Sequence, residues 1–157
     1  MRKPPAIATR PTEVVTVLSV SPTEEVHFSL QDIFNHSKWT LCKTHSLPAA
    51  LAFLRAHRTS VVLCETDLAQ GTWRDLLQEI SRAPDAPVVI VSSRVADDRL
   101  WAEALNLGAW DVLARPFVKS EVVRAVSAAW RHWWNRQDSS TTAMQVTNAF
   151  ASAAAPW

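Results

Sequence analysis

Glycine is scarce in this sequence: only two of its 157 residues are glycines. Loops that bind phosphate through their backbone need several glycines close together, so the sequence excludes P-loop hydrolases and dinucleotide-binding enzymes. Long apolar runs are also absent, since none approaches the roughly 18 residues of a membrane helix, and no apolar segment follows the basic N-terminus as in a secretory signal. We therefore expect a cytoplasmic protein that makes no membrane contact.

Neither sign of charge is in excess, because 16 lysines and arginines face 15 acids and give a net charge of +1. Nucleic acids and anionic membranes attract basic surfaces, so neither is expected as a direct partner. Cys42 and Cys64 fall in or beside predicted strands, as reduced core thiols do, and the five histidines lack metal-ligand spacing and are expected at the surface. The sequence indicates no enzyme, no metal centre and no disulfide.

Tryptophan, in contrast, is abundant, with eight in the chain. A length of 157 residues suits one domain with a single core. Such a core is too small to enclose eight indole rings, so some are expected at the surface. Exposed tryptophan commonly marks a contact surface.

Apolar runs rich in Val, Leu and Ile alternate along the chain with amphipathic helical patterns. Such runs predict strands that helices cover on both faces. Four such runs predict strands at 14–20, 60–64, 87–91 and 110–114, and a weaker fifth at 39–43 alternates apolar and polar residues, as an edge strand does. The predicted helices lie at 24–34, 47–57, 72–80, 97–108 and 120–134. Five strand–helix units predict a doubly wound α/β fold, a three-layer (βα)5 sandwich around a parallel sheet.

The predicted domain covers residues 13–134. Residues 1–12 contain three prolines and residues 135–157 show no convincing apolar stripe, so both segments are predicted to be flexible tails. Doubly wound folds place their sites at the carboxyl ends of the strands. This rule singles out residues 19–21, 65–67, 92–93 and 115.

Three segments resemble the CheY-like receiver domains of two-component response regulators. GAWDVLARPF at 108–117 is similar to the family's G-A-x-D-Y-L-x-K-P-F, PVVIVSS at 87–93 to its fourth strand, and VVLCETDLAQGTWRDLL at 61–77 to its third strand and following helix. The resemblance implies a flavodoxin-like sheet in the order 2-1-3-4-5 and a cis bond between Arg115 and Pro116. It also implies a signalling role in a two-component or phosphorelay system.

The resemblance carries over only part of the family's chemistry. In receivers, an acidic pair after strand one holds Mg²⁺ beside a phosphoacceptor Asp after strand three. Here Ser19 and Val20 occupy the positions of the pair, and Glu65 occupies that of the acceptor. A hydroxyl and an isopropyl group cannot replace two carboxylates, so we expect no Mg²⁺ cofactor. A shifted register would make Asp67 the acceptor, and that alternative stays open.

Ser92 keeps the hydroxyl of the family's switch residue, and Arg115 stands where the family has Lys. Arginine can bind a carboxylate through two parallel hydrogen bonds, so Glu65 and Arg115 are predicted to form a permanent charge pair that mimics the phosphorylated state. The alternative is a solvated loop acid beside a surface cation. Val112 replaces the aromatic switch residue of strand five, and an aliphatic side chain gives a poor rotameric signal.

Two functions follow from these observations. The first is a pseudo-receiver that is not phosphorylated and acts through the surface of helix four, strand five and helix five, by dimerising or by docking a protein partner. This surface is predicted to carry five tryptophans: Trp101, Trp110, Trp130, Trp133 and Trp134. The second is an atypical response regulator that is phosphorylated on Asp67 or Glu65.

Overall fold

Five parallel strands form the central sheet of the computed structural model, which describes the backbone of residues 15–153 and the side chains of residues 15–138. These strands are β1 (Thr16–Val20), β2 (Thr40–Thr44), β3 (Val61–Glu65), β6 (Val88–Ser93) and β7 (Asp111–Ala114). Their order is β2-β1-β3-β6-β7, and every neighbouring pair is parallel. The predicted order 2-1-3-4-5 is thereby confirmed, because β4 and β5 belong to a separate hairpin.

Five helices cover the two faces of this sheet: α1 (Glu24–Phe34), α2 (Leu47–Ala56), α3 (Trp73–Ile80), α4 (Asp98–Asn106) and α5 (Lys119–Ala153). Buried residues of α1 and α5 share one cluster with alternate strand residues such as Val17 and Leu63. Buried residues of α2, α3 and α4 share the other cluster with the intervening strand residues, such as Leu18 and Cys64. Because both faces are covered, the strands are almost continuously apolar.

Local capping fixes where several helices begin and end. The Ser46 side chain accepts a hydrogen bond from the backbone of Ala49, and the Asp97 side chain accepts one from Leu100. These bonds satisfy backbone N–H groups that lack a partner in the first turn of a helix. Gly108, the predicted stop signal, follows α4 with φ of +104°, a conformation that favours glycine.

A small antiparallel hairpin between β3 and α3 was not predicted from the sequence. It pairs β4 (Asp67–Leu68) with β5 (Gly71–Thr72). Its turn places Gln70 at φ of +64°, and strands of two residues are too short to leave a periodic pattern. The hairpin carries Asp67 away from the end of β3.

The prediction that the last helix ends near Trp134 is wrong, because α5 continues to Ala153. No glycine or proline occurs between Phe117 and Ala155, so the chain contains nothing that breaks the helix. The apolar stripe used for the prediction ends earlier than the helix does. The predicted N-terminal tail at 1–12 lies outside the described residues, as do residues 154–157.

The described tryptophans divide between core and surface. Trp73 and Trp133 are buried, whereas Trp101, Trp130 and Trp134 are half-buried and pack against the core clusters. Trp110 is 37% exposed and stacks on His132, with 4.5 Å between ring centroids. Within the part of the chain that the structure describes, no helix is long and apolar enough to cross a membrane.

The assignment of Trp133 to a contact surface is wrong, since this side chain is 3% exposed within the domain. Its ring lies on the same face of α5 as Val126 and Ala129, and its indole nitrogen donates to the carbonyl oxygen of Asp85 at 3.4 Å. The guanidinium of Arg58 lies 4.8 Å from the ring centroid. The helix stripe alone could not separate this buried ring from the two neighbouring half-buried ones.

Candidate functional site

The carboxyl ends of β1, β3, β6 and β7 meet at one edge of the sheet, and Glu65 lies at its centre. Glu65 is the last residue of β3, and it pairs in register with Ser92 of β6. Both residues are buried, with 6% of Glu65 and 2% of Ser92 exposed. A carboxylate at this depth needs partners, because burial of an unpaired charge is costly.

Both oxygens of the Glu65 carboxylate are engaged. Oε1 forms an ion pair with Nη2 of Arg115, which follows β7. Oε2 accepts a hydrogen bond from the hydroxyl of Ser21 at 2.5 Å. The side chains of Glu65 and Arg115 are only 7% and 16% exposed, so a solvated loop acid does not describe Glu65. The structure contains the charge pair that the sequence predicted.

Ser21, which follows β1, is the residue that the predicted site lacked. Besides donating to Glu65, its oxygen accepts a hydrogen bond from the backbone N–H of Thr23 at 3.1 Å and lies 3.0 Å from the Thr23 hydroxyl. The rule about strand ends had singled out residues 19–21, but the sequence gives no measure of which hydroxyl reaches the carboxylate. The structure assigns that contact to Ser21.

Ser19 and Val20 do not meet Glu65 through their side chains. The Ser19 hydroxyl lies 2.9 Å from Nδ1 of His27, and Val20 is buried in the core beneath α2, α3 and α4. Asp67 is also outside the pocket, because it is exposed and pairs with Thr72 in the hairpin. Of the six predicted pocket residues, the structure therefore brings together Glu65, Arg115 and Ser92.

His27 was expected at the surface, and this expectation is wrong, because the side chain is fully buried. It lies on the α1 face of Leu30 and Phe34, a spacing that the sequence shows. Its Nε2 lies 3.0 Å from the carbonyl oxygen of Ser21. A carbonyl can only accept, so Nε2 carries the proton and Nδ1 accepts from the Ser19 hydroxyl.

Desolvation is the main cause that lowers the pKa of His27 below its ordinary value. The neighbouring His45, whose ring centroid lies 4.8 Å away, lowers this pKa further. The hydrogen bond to the Ser21 carbonyl acts in the opposite direction, because it favours the protonated ring. The balance keeps the buried imidazole neutral near pH 7.

Arg115 precedes a cis peptide bond and carries an unpaired buried donor. The peptide bond between Arg115 and Pro116 is cis, as the resemblance implied. The Nε atom of the Arg115 side chain is buried and has no hydrogen-bond partner among the described residues. The guanidinium therefore engages Glu65 through Nη2, while its buried Nε donor stays unpaired among the described residues.

The donors in this pocket do not fit Mg²⁺, the ion that the receiver resemblance implies. Mg²⁺ requires nearly octahedral oxygen coordination and usually one or two carboxylates. Glu65 supplies the only carboxylate among the residues brought together here, and both of its oxygens are in use. Across the described side chains, no group of three or more His, Cys, Asp or Glu residues is arranged to hold a metal ion.

The family model described as the response regulator receiver domain matches residues 17–127 of the chain. The chain belongs to the response regulator receiver family. It is also 26% identical over 133 residues to the transcriptional regulatory protein CpxR of Klebsiella pneumoniae subsp. pneumoniae (strain HS11286). That match covers 83% of this chain and 56% of CpxR, so the chain spans little more than half the length of this relative.

Solved receiver structures share the fold. The signal receiver domain of an HD domain-containing protein from Pseudomonas fluorescens Pf-5 superposes with a TM-score of 0.74 at 24% identity, covering 81% of this chain and 94% of that one. The chemotaxis response regulator CheY4 of Vibrio cholerae superposes with a TM-score of 0.67 at 13% identity, covering 74% and 98%. At these identities the likeness concerns the fold alone.

We predict that Arg115→Ala lowers the free energy of unfolding by about 3–5 kcal/mol, because it leaves the buried Glu65 carboxylate without its cation. The double variant Glu65→Gln, Arg115→Gln removes both charges and should be more stable than Arg115→Ala by at least about 1 kcal/mol. Urea unfolding at pH 7 measures both values. A loss below about 1 kcal/mol in Arg115→Ala would show that Glu65 is solvated.

We also predict that His27 contributes to acid destabilisation. Its folded-state pKa is lowered, so the unfolded chain takes up a proton more readily as the pH falls below about 6.5. Stability is therefore present above that pH and is lost on acidification. His27→Gln should show a shallower decline in the free energy of unfolding between about pH 7 and pH 5, whereas the exposed control His36→Gln should match the wild type. Equal slopes for all three proteins would contradict this assignment.

Proposed function

We propose that this receiver domain is a pseudo-receiver, which signals through protein contacts and is not phosphorylated. The observation that carries the proposal is the engagement of both Glu65 oxygens, by Arg115 and by Ser21. A phosphoacceptor needs a carboxylate oxygen that is free to attack the phosphoryl group. Here both carboxylate oxygens of the residue at the acceptor position are already engaged by neighbouring side chains.

The lack of a fitting metal site supports the same proposal. Phosphoryl transfer relies on cations that neutralise charge developing on the transferred group. The Ser19 hydroxyl is hydrogen-bonded to His27 and Val20 lies in the core, so neither supplies a ligand to the pocket, and Glu65 is paired. We therefore propose that the domain has lost Mg²⁺ binding and that phosphoryl transfer is too slow to serve signalling.

The charge pair between Glu65 and Arg115 favours a single signalling conformation of the domain. Glutamate carries its carboxylate about 1.5 Å further from the backbone than aspartate does, so the negative charge lies closer to the place of a phosphoryl group. Arg115 binds that charge permanently, and the buried Val112 takes the position of the aromatic switch residue. We propose that the pair holds the domain in a state similar to the phosphorylated one.

The output surface of the proposal consists of α4, β7, the start of α5 and their connections. It exposes large apolar side chains to an extent that suits protein contact: Leu105 50%, Leu107 48%, Trp110 37%, Val118 50% and Val123 37%. Trp101, Trp130 and Trp134 are half-buried and contribute only part of their surface. We propose a second copy of the chain as the occupant, because an isologous dimer needs only one such face per subunit.

The edge of the sheet at this surface is β7. The carboxylate of Asp111 accepts a hydrogen bond from the backbone N–H of Val112 at 2.8 Å. On the neighbouring helices, Arg74 of α3 donates to Glu103 of α4 through Nε at 2.9 Å and Nη2 at 2.6 Å. Hydrogen bonds within the domain therefore stabilise β7 and α4, the two elements that border the proposed contact surface.

We place the domain in the cytoplasm, because free Cys42 and buried free Cys64 suit a reducing compartment. Burial raises the pKa of the Cys64 thiol, which keeps it unreactive. The near-neutral chain gives no reason to expect direct nucleic-acid binding by this domain. Control of transcription, the activity in the name of CpxR, would require contributions from outside the described fold.

We predict that incubation with acetyl phosphate and Mg²⁺ adds no phosphoryl group to the protein, as measured by intact mass. The competing function, phosphorylation on Asp67 or Glu65, predicts a stoichiometric gain. Asp67→Ala distinguishes the two acceptors, since the exposed Asp67 can be removed without disturbing the pocket. A stoichiometric gain in the wild type would end the pseudo-receiver proposal.

We predict that the wild type forms a dimer in sedimentation velocity experiments and that Trp110→Ala raises the dissociation constant by about tenfold or more. Phe28→Ala is the matched control, because Phe28 is an aromatic residue of α1 that is 78% exposed outside the proposed surface. It should leave the dimer unchanged. A wild type that stays monomeric at every concentration, or equal weakening by both variants, would contradict the dimer.

A further inference from the structure

We infer that the pocket beside Arg115 binds a small organic monocarboxylate with an apolar body. The pocket has a volume of about 350 Å³ and lies between α1, the loop after β6 and the loop after β7. Its size falls in the range of small-molecule sites. It lies next to the buried carboxylate of Glu65 but does not include it, so the inference goes beyond the proposed function.

The first observation is the free donor at Arg115. Its Nη2 is committed to Glu65, but its Nε is buried and finds no acceptor among the described residues. Buried donors without a partner are rare in folded proteins, because each carries the full cost of desolvation. Arg115 lines the pocket, so a small rotation of its side chain would present this buried N–H group to an oxygen acceptor placed there.

The second observation is the loosely held Arg94 in the same pocket. Its ion pair with Glu25 spans 3.6 Å, and the two side chains are 70% and 78% exposed. Exposed pairs of this kind contribute little and exchange readily with other partners. Arg94 can therefore turn toward a bound anion and share its charge with Arg115.

The charge balance favours a monoanion over a dianion such as phosphate. Glu65 already neutralises Arg115, which leaves Arg94 as the cation to be shared, with Glu25 as its competitor. A second negative charge would lie beside two carboxylates with no further cation in the lining. A carboxylate supplies one charge and two acceptor oxygens, which match the Nε donor and the Arg94 guanidinium.

The walls of the pocket account for the apolar body. Val26, Pro116 and Phe117 contribute hydrocarbon surface to the lining. Val26 belongs to the core beneath α1, so this part of the wall is fixed. A ligand with its carboxylate at the arginines would place an aromatic ring or short alkyl chain against these three side chains, where burial of apolar surface adds to the affinity.

The probe for the test is 3-phenylpropionate, with the uncharged 3-phenylpropanol as its control. We expect 3-phenylpropionate to shift the Arg115 Nε–H resonance saturably in ¹H–¹⁵N spectra of the wild type, and 3-phenylpropanol not to do so. Absence of a saturable shift at the solubility limit, or an equal shift with the alcohol, would overturn the proposal.

Two surface variants should change the affinity for 3-phenylpropionate in opposite directions. Arg94→Gln should weaken binding by about tenfold, because it removes a charge-assisted hydrogen bond. Glu25→Gln should tighten it by roughly twofold or more, because it removes the competing carboxylate. Arg131→Gln, on the exposed side of α5, should leave the affinity unchanged. Weaker binding of the probe in Glu25→Gln would show that Glu25 does not compete with its carboxylate, and an unaffected Arg94→Gln would place the probe elsewhere; either result overturns the proposal.

Discussion

The ion pair between Glu65 and Arg115 is the interaction on which the rest of the site depends. It joins the end of β3 to the segment after β7, and the Ser21 hydroxyl adds the end of β1 to the same carboxylate. A buried acid at the strand end is stable only with such partners. The partners that stabilise Glu65 also occupy it, so in the proposed pseudo-receiver structural stability and loss of phosphoryl chemistry have one physical cause.

Most of the fold could be predicted from the sequence, because its elements are long enough to show periodicity. Apolar runs identify four of the five parallel strands, an alternating pattern identifies β2, and Gly108 marks the end of α4. The hairpin that carries Asp67 is too short for such a pattern. The length of α5 was missed for a different reason: the prediction followed the apolar stripe, whereas a helix continues until a residue breaks it.

The charged residues of the site could be predicted from the sequence, whereas the hydrogen bonds between its side chains could not. Glu65 and Arg115 could be placed from the strand ends and the family resemblance, and the structure brings them into contact. Which hydroxyl completes the pair depends on distances between strands, which no spacing in the sequence encodes. The burial of His27 and Trp133 was equally hidden, since a helix stripe indicates a face and not how deeply each side chain enters the core.

The hydrogen bond from the Val112 backbone to Asp111 has a consequence for how other proteins can approach the sheet. β7 is a terminal strand, and a terminal strand with free amides invites another chain to extend the sheet. Asp111 already uses one of those amides. Strand addition along β7 is therefore discouraged, which favours association through side chains.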